Sequence, residues 1–189
     1  MRGDGDGWVV TEAGTRYWGR FGAAGLLLRA PRADGLPLIL LQHRAPWSHH
    51  GDTWGLPGGA RDSDESPADA ALREAVEEAG LPLADVRVRA AVTTAVVPAT
   101  GPAEWSYTTV VADCSTPLPT VANQESAELR WVPESEITDL ALHPGLAASW
   151  ERLRISATVP AHPCGGRHAH VLEAAAGGFA WCVPAAEPA

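Results

Sequence analysis

The feature that most constrains this chain is the stretch GARDSDESPADAALREAVEEAGL at residues 59–81, which carries both ends of one short helix. Ser66 is a favourable N-cap residue, and Pro67 suits the first helical position. Gly80 is typical of the residue that ends a helix, and Pro82 prevents its continuation. The sequence therefore predicts a helix that begins after Ser66 and ends before Gly80.

Three glutamates of this helix, Glu74, Glu77 and Glu78, are spaced so that their side chains share one face. Like charges at these spacings repel one another, and carboxylate oxygens are the ligands that Mg²⁺ or Mn²⁺ prefer. A solvated acidic face and a metal site both remain possible on this observation alone. The opposite face carries apolar residues that are predicted to pack against a sheet, namely Leu72, Val76 and Ala79.

The residues around the glutamates recur at fixed offsets along the same stretch. Gly59 is followed by Glu65, then by Arg73 directly before the glutamates, and finally by Gly80. This pattern resembles the Nudix box, G-x5-E-x7-R-E-U-x-E-E-x-G-U, in which U is an aliphatic residue. Ala75 departs from the pattern because the family prefers a larger aliphatic residue there, although alanine is still apolar. The charged and glycine positions all match.

The resemblance implies a fold and a cofactor. Members of this family fold as an α/β/α sandwich built on a mixed β-sheet, and they use Mg²⁺, for which Mn²⁺ can substitute. The resemblance assigns Glu77 and Glu78 as the main metal ligands, and Glu74 as a further ligand or as the base that activates water. It also implies a metal contact from the carbonyl of Gly58. Glu65 and Arg73 are expected to form an ion pair that orients the loop and the helix.

A later glutamate completes the metal site in the family, several residues ahead of a strand that carries a tryptophan. Glu125 precedes Trp131 by a suitable interval, and Glu128 is the alternative.

The segment before the box, residues 44–58, is a long connection of the kind that often carries function. Arg44 and His49 could bind phosphate. Trp47 and Trp54 offer stacking faces, but packing of the loop is the favoured interpretation of both tryptophans. Leu56 and His143 complete the predicted substrate-binding residues, and the candidates for reading the base are Asn123, Tyr107, Leu142 and His143.

Composition limits the partners and the location. A formal net charge of −9 argues against a broad nucleic-acid or anionic-membrane surface, while a small phosphorylated substrate carried with a metal ion remains compatible. The three cysteines, Cys114, Cys164 and Cys182, have no CxxC spacing and are expected to be reduced thiols in a cytoplasm. No apolar run is long enough to span a bilayer. The oligomeric state is not indicated.

The domain organisation is expected to be one catalytic domain, residues 1–156, with an extension at residues 157–189. About the first 15 residues are expected to be flexible or to form an edge strand. Strands are predicted over residues 20–29, 38–43, 85–97, 105–113 and 128–132, and a second helix over residues 146–153. In the extension, residues 171–176 and 179–183 flank two glycines, which predicts a β-hairpin that packs on the same domain.

The expected activity follows from the resemblance. The segments RFGAAGLLLRAP, HRAPWSHHG, TWGLPGGARD and ESAELRWV are similar to MutT-type members of the family from actinobacteria that are assigned to 8-oxo-dGTP hydrolysis. A nucleoside triphosphate diphosphatase that sanitises the nucleotide pool is therefore expected. Pro98 keeps a second substrate, ADP-ribose, under consideration. A non-catalytic nucleotide-binding module is the alternative of another class, although such members usually lack glutamates of the box.

Overall fold

The structure, a computed structural model, describes residues 3–98, 104–160, 168–174 and 178–184. Two α-helices are present in these ranges, α1 (Pro67–Ala79) and α2 (Pro144–Leu153). The strands, in chain order, are β1 (Trp8–Val10), β2 (Arg16–Trp18), β3 (Ala23–Pro31), β4 (Pro37–Arg44), β5 (Trp54–Gly55), β6 (Gly58–Ala60), β7 (Arg87–Val97), β8 (Trp105–Asp113), β9 (Ser126–Pro133), β10 (Ile155–Pro160), β11 (His170–Glu173) and β12 (Phe179–Val183). Short 3₁₀ turns cover Leu83–Asp85 and Glu134–Asp139.

The main sheet is mixed. Its strands follow the order β5-β4-β3-β8-β7, with β6 paired to β3 and β9 paired to β4. The central pair, β3 and β8, is parallel, whereas the other pairs in this sheet are antiparallel. The predicted α/β fold with a mixed sheet is therefore confirmed.

Successive residues of a strand point to opposite sides of the sheet, so each strand supplies side chains to two apolar layers. Helix α1 covers one of these layers, and α2 covers the other. Leu26, Leu28 and Leu40 belong to the core on the α1 side. The α2 side is filled by larger residues, among which are Leu27, Ile39, Leu41, Trp150, Leu153 and Trp181. The result is an α/β/α sandwich with two separate apolar layers.

Helix α1 has the predicted ends, and its packing face differs from the prediction in part. Ser66 accepts a hydrogen bond from the backbone N–H of Asp69, and Gly80 adopts the left-handed conformation with φ of 60°. The prediction that Val76 packs against the sheet is wrong, because its side chain is 44% exposed, and Leu72 is only partly buried. Ala79 is buried as predicted, and three further small residues meet the sheet and let the helix approach closely, namely Ala70, Ala71 and Ala75.

The C-terminal strands form a second, three-stranded sheet in the order β10-β12-β11, in which β11 and β12 make an antiparallel hairpin. This sheet packs onto the α2 side of the main sheet. The indole N–H of Trp181 donates to the carbonyl of Gly35 at 2.8 Å, and the amide of Val171 donates to the carboxylate of Asp113 at 2.9 Å. Residues 175–177, part of the predicted hairpin, lie outside the described residues. The division at residue 156 stays a prediction.

The N-terminal strands β1 and β2 pair with each other in a separate two-stranded sheet, and they are tied to the loop that precedes α1. The amide of Gly5 donates to the carboxylate of Asp62 at 2.8 Å, and the hydroxyl of Ser63 donates to Asp4 at 2.6 Å. Within the described residues, the N-terminal segment thus contains a strand that belongs to a sheet of its own and not to the main sheet.

The expectation of three reduced cysteines is wrong for Cys182, which is disulfide-bonded in the structure. The spacing of the three cysteines carries no signature of this bond. Cys114 is a buried free thiol, and Cys164 lies outside the described residues. The predicted cytoplasmic location loses this support and stays a prediction. Among the described residues, no helix combines the length and hydrophobicity needed to cross a membrane.

Candidate active site

The centre of the candidate site is Glu78, which α1 holds against β6. Its side chain is enclosed, since the residue is only 4% exposed, and its carboxylate accepts a hydrogen bond from the amide of Gly58 at 2.7 Å. Helix α1 supplies the carboxylate, and β6 supplies the backbone N–H that donates to it. Burying a carboxylate in this way is costly unless it is hydrogen-bonded or bound to a cation.

Burial is the main cause that raises the pKa of Glu78 to about 7, and the charge of Glu74 adds to the rise. The hydrogen bond from Gly58 lowers this pKa and so offsets part of the effect. Burial also raises the pKa of Glu74. The guanidinium of Arg73 opposes that rise, while the charges of Glu77 and Glu125 add to it. The predicted metal-ligating carboxylates therefore act on one another, and a cation placed among them would relieve both the burial cost and the repulsion.

Two glycines of β6 let the backbone approach the carboxylates. A Cβ atom at Gly58 would lie 2.4 Å from the carbonyl oxygen of Ala24 and 2.5 Å from the Cα atom of Gly25. A Cβ atom at Gly59 would lie 2.6 Å from the carboxylate of Glu74. Only glycine fits at either position without displacing a neighbour. The family resemblance marked both residues, and the structure adds the steric reason.

Arg73 joins the loop to the helix. Its guanidinium donates to Glu65 at 2.7 and 2.9 Å and to the carbonyl of Ala60 at 2.9 Å. It also contacts Glu74 at 2.7 Å and Glu77 at 3.8 Å. The predicted Glu65–Arg73 ion pair is thus present, and Arg73 fixes the position of one oxygen of Glu74 as well.

Gln42 is a site residue that sequence reasoning missed. It lies fully buried on β4, and its side-chain amide donates to the hydroxyl of Ser126 at 2.9 Å. That hydroxyl donates to the backbone carbonyl of Glu78 at 3.3 Å, and the Gln42 side chain also lowers the pKa of Glu78. The available signal was a single polar residue near the end of the otherwise apolar strand segment LILLQ.

The two candidates for the distal metal ligand differ in their surroundings. Both oxygens of Glu128 accept hydrogen bonds from Arg130, each at 2.8 Å. Glu125 is exposed, with its backbone carbonyl bonded to the amide of Ala45, and its charge acts on Glu74. These contacts favour Glu125, because its carboxylate influences the helix carboxylates and is not paired with Arg130.

Arg44, the last residue of β4, carries a charge that acts on both the carboxylates and a group of histidines. Its Nε atom donates to the carbonyl of His49 at 3.0 Å. Its charge lowers the pKa values of Glu78, His49 and His143. Arg44 is therefore within electrostatic range of both groups, as a residue that contacts phosphate next to a metal site would have to be.

Trp54 and Leu56 were predicted to bind substrate, but each is only 7% exposed and lies in the core on the α2 side. The ring of His43 stacks on Trp54 with centroids 4.8 Å apart, and the guanidinium of Arg130 lies 4.7 Å from the Trp54 ring centroid. Trp54 therefore does not offer an open stacking face, because its ring is already packed. Trp47, by contrast, is 69% exposed.

The fold brings His143 to this loop from far along the sequence. The amide of His143 donates to the carbonyl of Trp54 at 2.8 Å, which places its ring beside His50 at a centroid distance of 4.8 Å. Burial lowers the pKa of His143 to about 4, and the charges of His50 and Arg44 lower it further. The ring is thus a neutral imidazole at neutral pH.

The other candidates for reading the base are placed differently. The hydroxyl of Tyr107 lies against Gly25, where a Cβ atom would meet it at 2.1 Å. The side-chain oxygen of Asn123 accepts from the amide of Glu125 at 2.8 Å, and Leu142 forms a β-bridge with Trp54. Leu142 and His143 thus lie beside the loop, whereas Tyr107 lies against β3.

Comparisons with known proteins agree with this geometry. Residues 19–153 match the family described as NUDIX domain. The chain is 60% identical over 188 residues to a Mycobacterium tuberculosis protein named "Putative 8-oxo-dGTP diphosphatase 3", and the alignment covers 97% of this chain and 87% of that protein.

Solved structures show the same fold. A Nudix hydrolase from M. smegmatis, RenU, is 62% identical and superposes with a TM-score of 0.76, covering 78% of this chain and 92% of that one. An Ap4A hydrolase from C. elegans has a TM-score of 0.56 at 22% identity, over 69% of this chain and 93% of that one. The second likeness concerns the fold alone.

Proposed function

Because this chain belongs to the Nudix hydrolase family, we propose that it is a Mg²⁺-dependent diphosphatase that converts 8-oxo-dGTP or 8-oxo-GTP to the monophosphate and pyrophosphate. The observation that carries the proposal is the set of mutually interacting carboxylates on α1, centred on buried Glu78 and its hydrogen bond to Gly58. Hydrolysis of oxidised guanine nucleotides would remove them from the precursors of DNA synthesis.

The donors present fit a hard divalent cation. Glu74, Glu77, Glu78 and Glu125 offer carboxylate oxygens, and Gly58 offers a backbone carbonyl, which are the ligand types that Mg²⁺ and Mn²⁺ accept. Burial is the main cause of the raised pKa values of Glu74 and Glu78, and neighbouring carboxylates add to it, so a bound cation would offset both effects. When bound, the metal ion would neutralise phosphate charge and lower the pKa of a bound water.

The remaining steps are assigned to side chains of this chain. Phosphoanhydride hydrolysis depends on positioning and charge stabilisation more than on a covalent nucleophile. Glu74 is either a further metal ligand or the base that accepts the proton of the attacking water, and Arg73 orients it by donating to one of its oxygens at 2.7 Å. Arg44 contacts the terminal phosphates, and His49 and His143 contact the nucleotide beyond it.

The assignment of the nucleobase as oxidised guanine rests on the named activity of the M. tuberculosis relative, which is 60% identical to this chain. A pocket that pairs with one edge of a base rejects an analogue with unmatched donors or acceptors, because buried unpaired groups are costly. We therefore expect kcat/KM for 8-oxo-dGTP to exceed that for dGTP by about tenfold or more.

A substrate panel tests this function. Initial rates would be measured with 8-oxo-dGTP, 8-oxo-GTP, dGTP, dCTP, ADP-ribose and NADH, each with Mg²⁺ and with EDTA. Arg44→Ala should lower kcat/KM for 8-oxo-dGTP and dGTP alike, because phosphate contacts do not distinguish bases. Equal rates for 8-oxo-dGTP and dGTP, or a preference for ADP-ribose, would contradict the sanitising role. Absence of turnover on every substrate would favour a nucleotide-binding module.

A further inference from the structure

A group of three imidazoles forms where the loop after Arg44 meets the start of α2. His49 and His50 come from the loop between β4 and β5, and His143 directly precedes α2. One ring nitrogen from each residue lies within 4.8 Å of those of the other two, and among the described residues this is the group of histidine, cysteine and acidic side chains that converges so closely. We propose that these three histidines bind a transition-metal ion, Zn²⁺.

The arrangement of the rings suits a shared ion. The ring of His50 lies between the other two, with centroid distances of 4.1 Å to His49 and 4.8 Å to His143. His50 adopts the left-handed conformation, with φ of 56°, which is uncommon for a residue other than glycine. Zinc–nitrogen bonds of about 2.0–2.1 Å in a tetrahedron separate ligand atoms by about 3.3 Å. His49 and His50 are exposed, so their side chains can rotate toward the half-buried ring of His143.

The donor chemistry separates this site from the carboxylates. Imidazole suits Zn²⁺, Cu²⁺ and Ni²⁺, whereas Mg²⁺ favours oxygen ligands. Three histidines occupy three positions of a tetrahedron and leave the fourth to water or to a phosphate oxygen. The charge of Arg44 opposes a cation here, but its Nε atom is directed to the carbonyl of His49 and not to the imidazoles. Occupation by zinc would compete with nucleotide contacts from His49 and His143.

Metal binding has a local consequence at the start of α2. The Nδ1 atom of His143 accepts a hydrogen bond from the amide of Gly145 at 3.1 Å, so the proton of the neutral ring is on Nε2. Coordination through Nδ1 displaces the amide, and coordination through Nε2 moves the proton to Nδ1. In both cases the amide of Gly145 loses its hydrogen bond to the His143 ring. The amide resonance of Gly145 therefore reports metal binding independently of enzyme activity.

Zinc binding by the full chain, measured by equilibrium dialysis with excess Mg²⁺ and without nucleotide, tests the proposal. Excess Mg²⁺ occupies oxygen ligands but competes poorly for imidazole. We expect one Zn²⁺ per wild-type chain. His50→Ala and His143→Asn should each weaken binding at least about tenfold, as expected when one of three ligands is lost. Asparagine can still cap α2, so His143→Asn should keep the fold.

His168→Ala, which removes an exposed histidine outside the group, is the matched control and should bind zinc like the wild type. Co²⁺ substitution should give the visible absorption of a tetrahedral site without a thiolate charge-transfer band, and zinc should shift the amide resonance of Gly145. Zinc binding that is equal in wild type, His50→Ala and His143→Asn would overturn the proposal. A thiolate band, or loss of binding in His168→Ala, would also overturn it.

Discussion

The carboxylates of α1 and the histidines of the loop both lie within reach of the charge of Arg44, but they are built in different ways. Glu78 is enclosed and hydrogen-bonded to the backbone, and Arg73 ties Glu74 to the loop before the helix. His49 and His50 are exposed, and their rings contact mainly other aromatic rings. The carboxylates are therefore held in fixed positions, whereas the exposed histidines can rearrange around a ligand.

The largest expected difference between the two groups is in turnover. Glu78→Gln should lower kcat by about 10²- to 10⁴-fold, because the loss of metal-assisted charge stabilisation is worth several kcal/mol. His50→Ala should lower it far less. Glu151→Gln, which alters an exposed ion pair with Arg154, is the control. Rates would be measured with 8-oxo-dGTP at saturating Mg²⁺, and a wild-type kcat for Glu78→Gln would remove the metal role of this residue.

The two groups should also give opposite pH dependences of stability in the metal-free protein. The pKa of Glu78 rises from 4.5 to about 7 on folding, so its stabilising contribution is complete below pH 4.5 and is lost as pH rises through 7. The pKa of His143 falls from 6.5 to about 4, so its contribution is present above pH 6.5 and is lost as pH falls through 4.

Urea unfolding in EDTA between pH 4 and pH 8 measures both effects. Relative to wild type, Glu78→Gln should gain on the order of 3 kcal/mol between pH 4.5 and pH 7, since 2.5 pKa units correspond to about that free energy. Relative to wild type, His143→Asn should lose stability as pH rises from 4 to 6.5. Parallel pH profiles for wild type and Glu78→Gln would show that Glu78 does not titrate near neutrality.

Substitution of two neighbouring glycines, Gly58 and Gly59, should affect different properties, namely stability at the first and turnover at the second. Gly58→Ala should lower the free energy of unfolding by about 2 kcal/mol, because the new Cβ atom meets the backbone of Ala24 and Gly25. Gly59→Ala should cost less stability, since it meets the movable side chain of Glu74, but it should lower kcat about tenfold by displacing that carboxylate. Equal stabilities with a wild-type kcat for Gly59→Ala would contradict this distinction.

The smallest expected effect concerns the outer face of α1. Leu72→Ala should lower the free energy of unfolding by about 1 kcal/mol, because Leu72 is partly buried against the core. Val76→Ala should change it by less than about 0.5 kcal/mol, since Val76 is 44% exposed. Both variants should keep the wild-type kcat. Chemical denaturation provides the comparison, and a larger cost for Val76→Ala would mean that the helix is rotated differently on the sheet.

Sequence alone predicted the local features of the site well. The ends of α1, the shared face of its glutamates and the bounds of β8 all follow from caps, spacing and β-branched composition, which act over a few residues. The overall architecture came from the family resemblance more than from the strand patterns. The short strand β6 was missed because a run of glycines carries no strand signal.

Contacts between residues that are far apart in the sequence could not be predicted from local sequence patterns. Gln42 meets Glu78 only because β4 lies beneath α1, and His143 meets His50 only through the contact of its backbone with Trp54. Val76 as a core residue was wrong for a related reason, since the spacing of apolar residues does not specify which of them the fold buries. Trp54 packs in the core, which is the interpretation that the sequence favoured, and its role in substrate binding stays a prediction.

Binding of Mn²⁺, followed by electron paramagnetic resonance during titration of the nucleotide-free chain, tests most directly whether the carboxylates of α1 form the metal centre. We expect the wild type and His143→Asn to bind Mn²⁺ with similar affinity, whereas Glu78→Gln should bind at least about tenfold more weakly. Equal binding by wild type and Glu78→Gln, or loss of binding in His143→Asn, would contradict the assignment of the metal centre to these carboxylates.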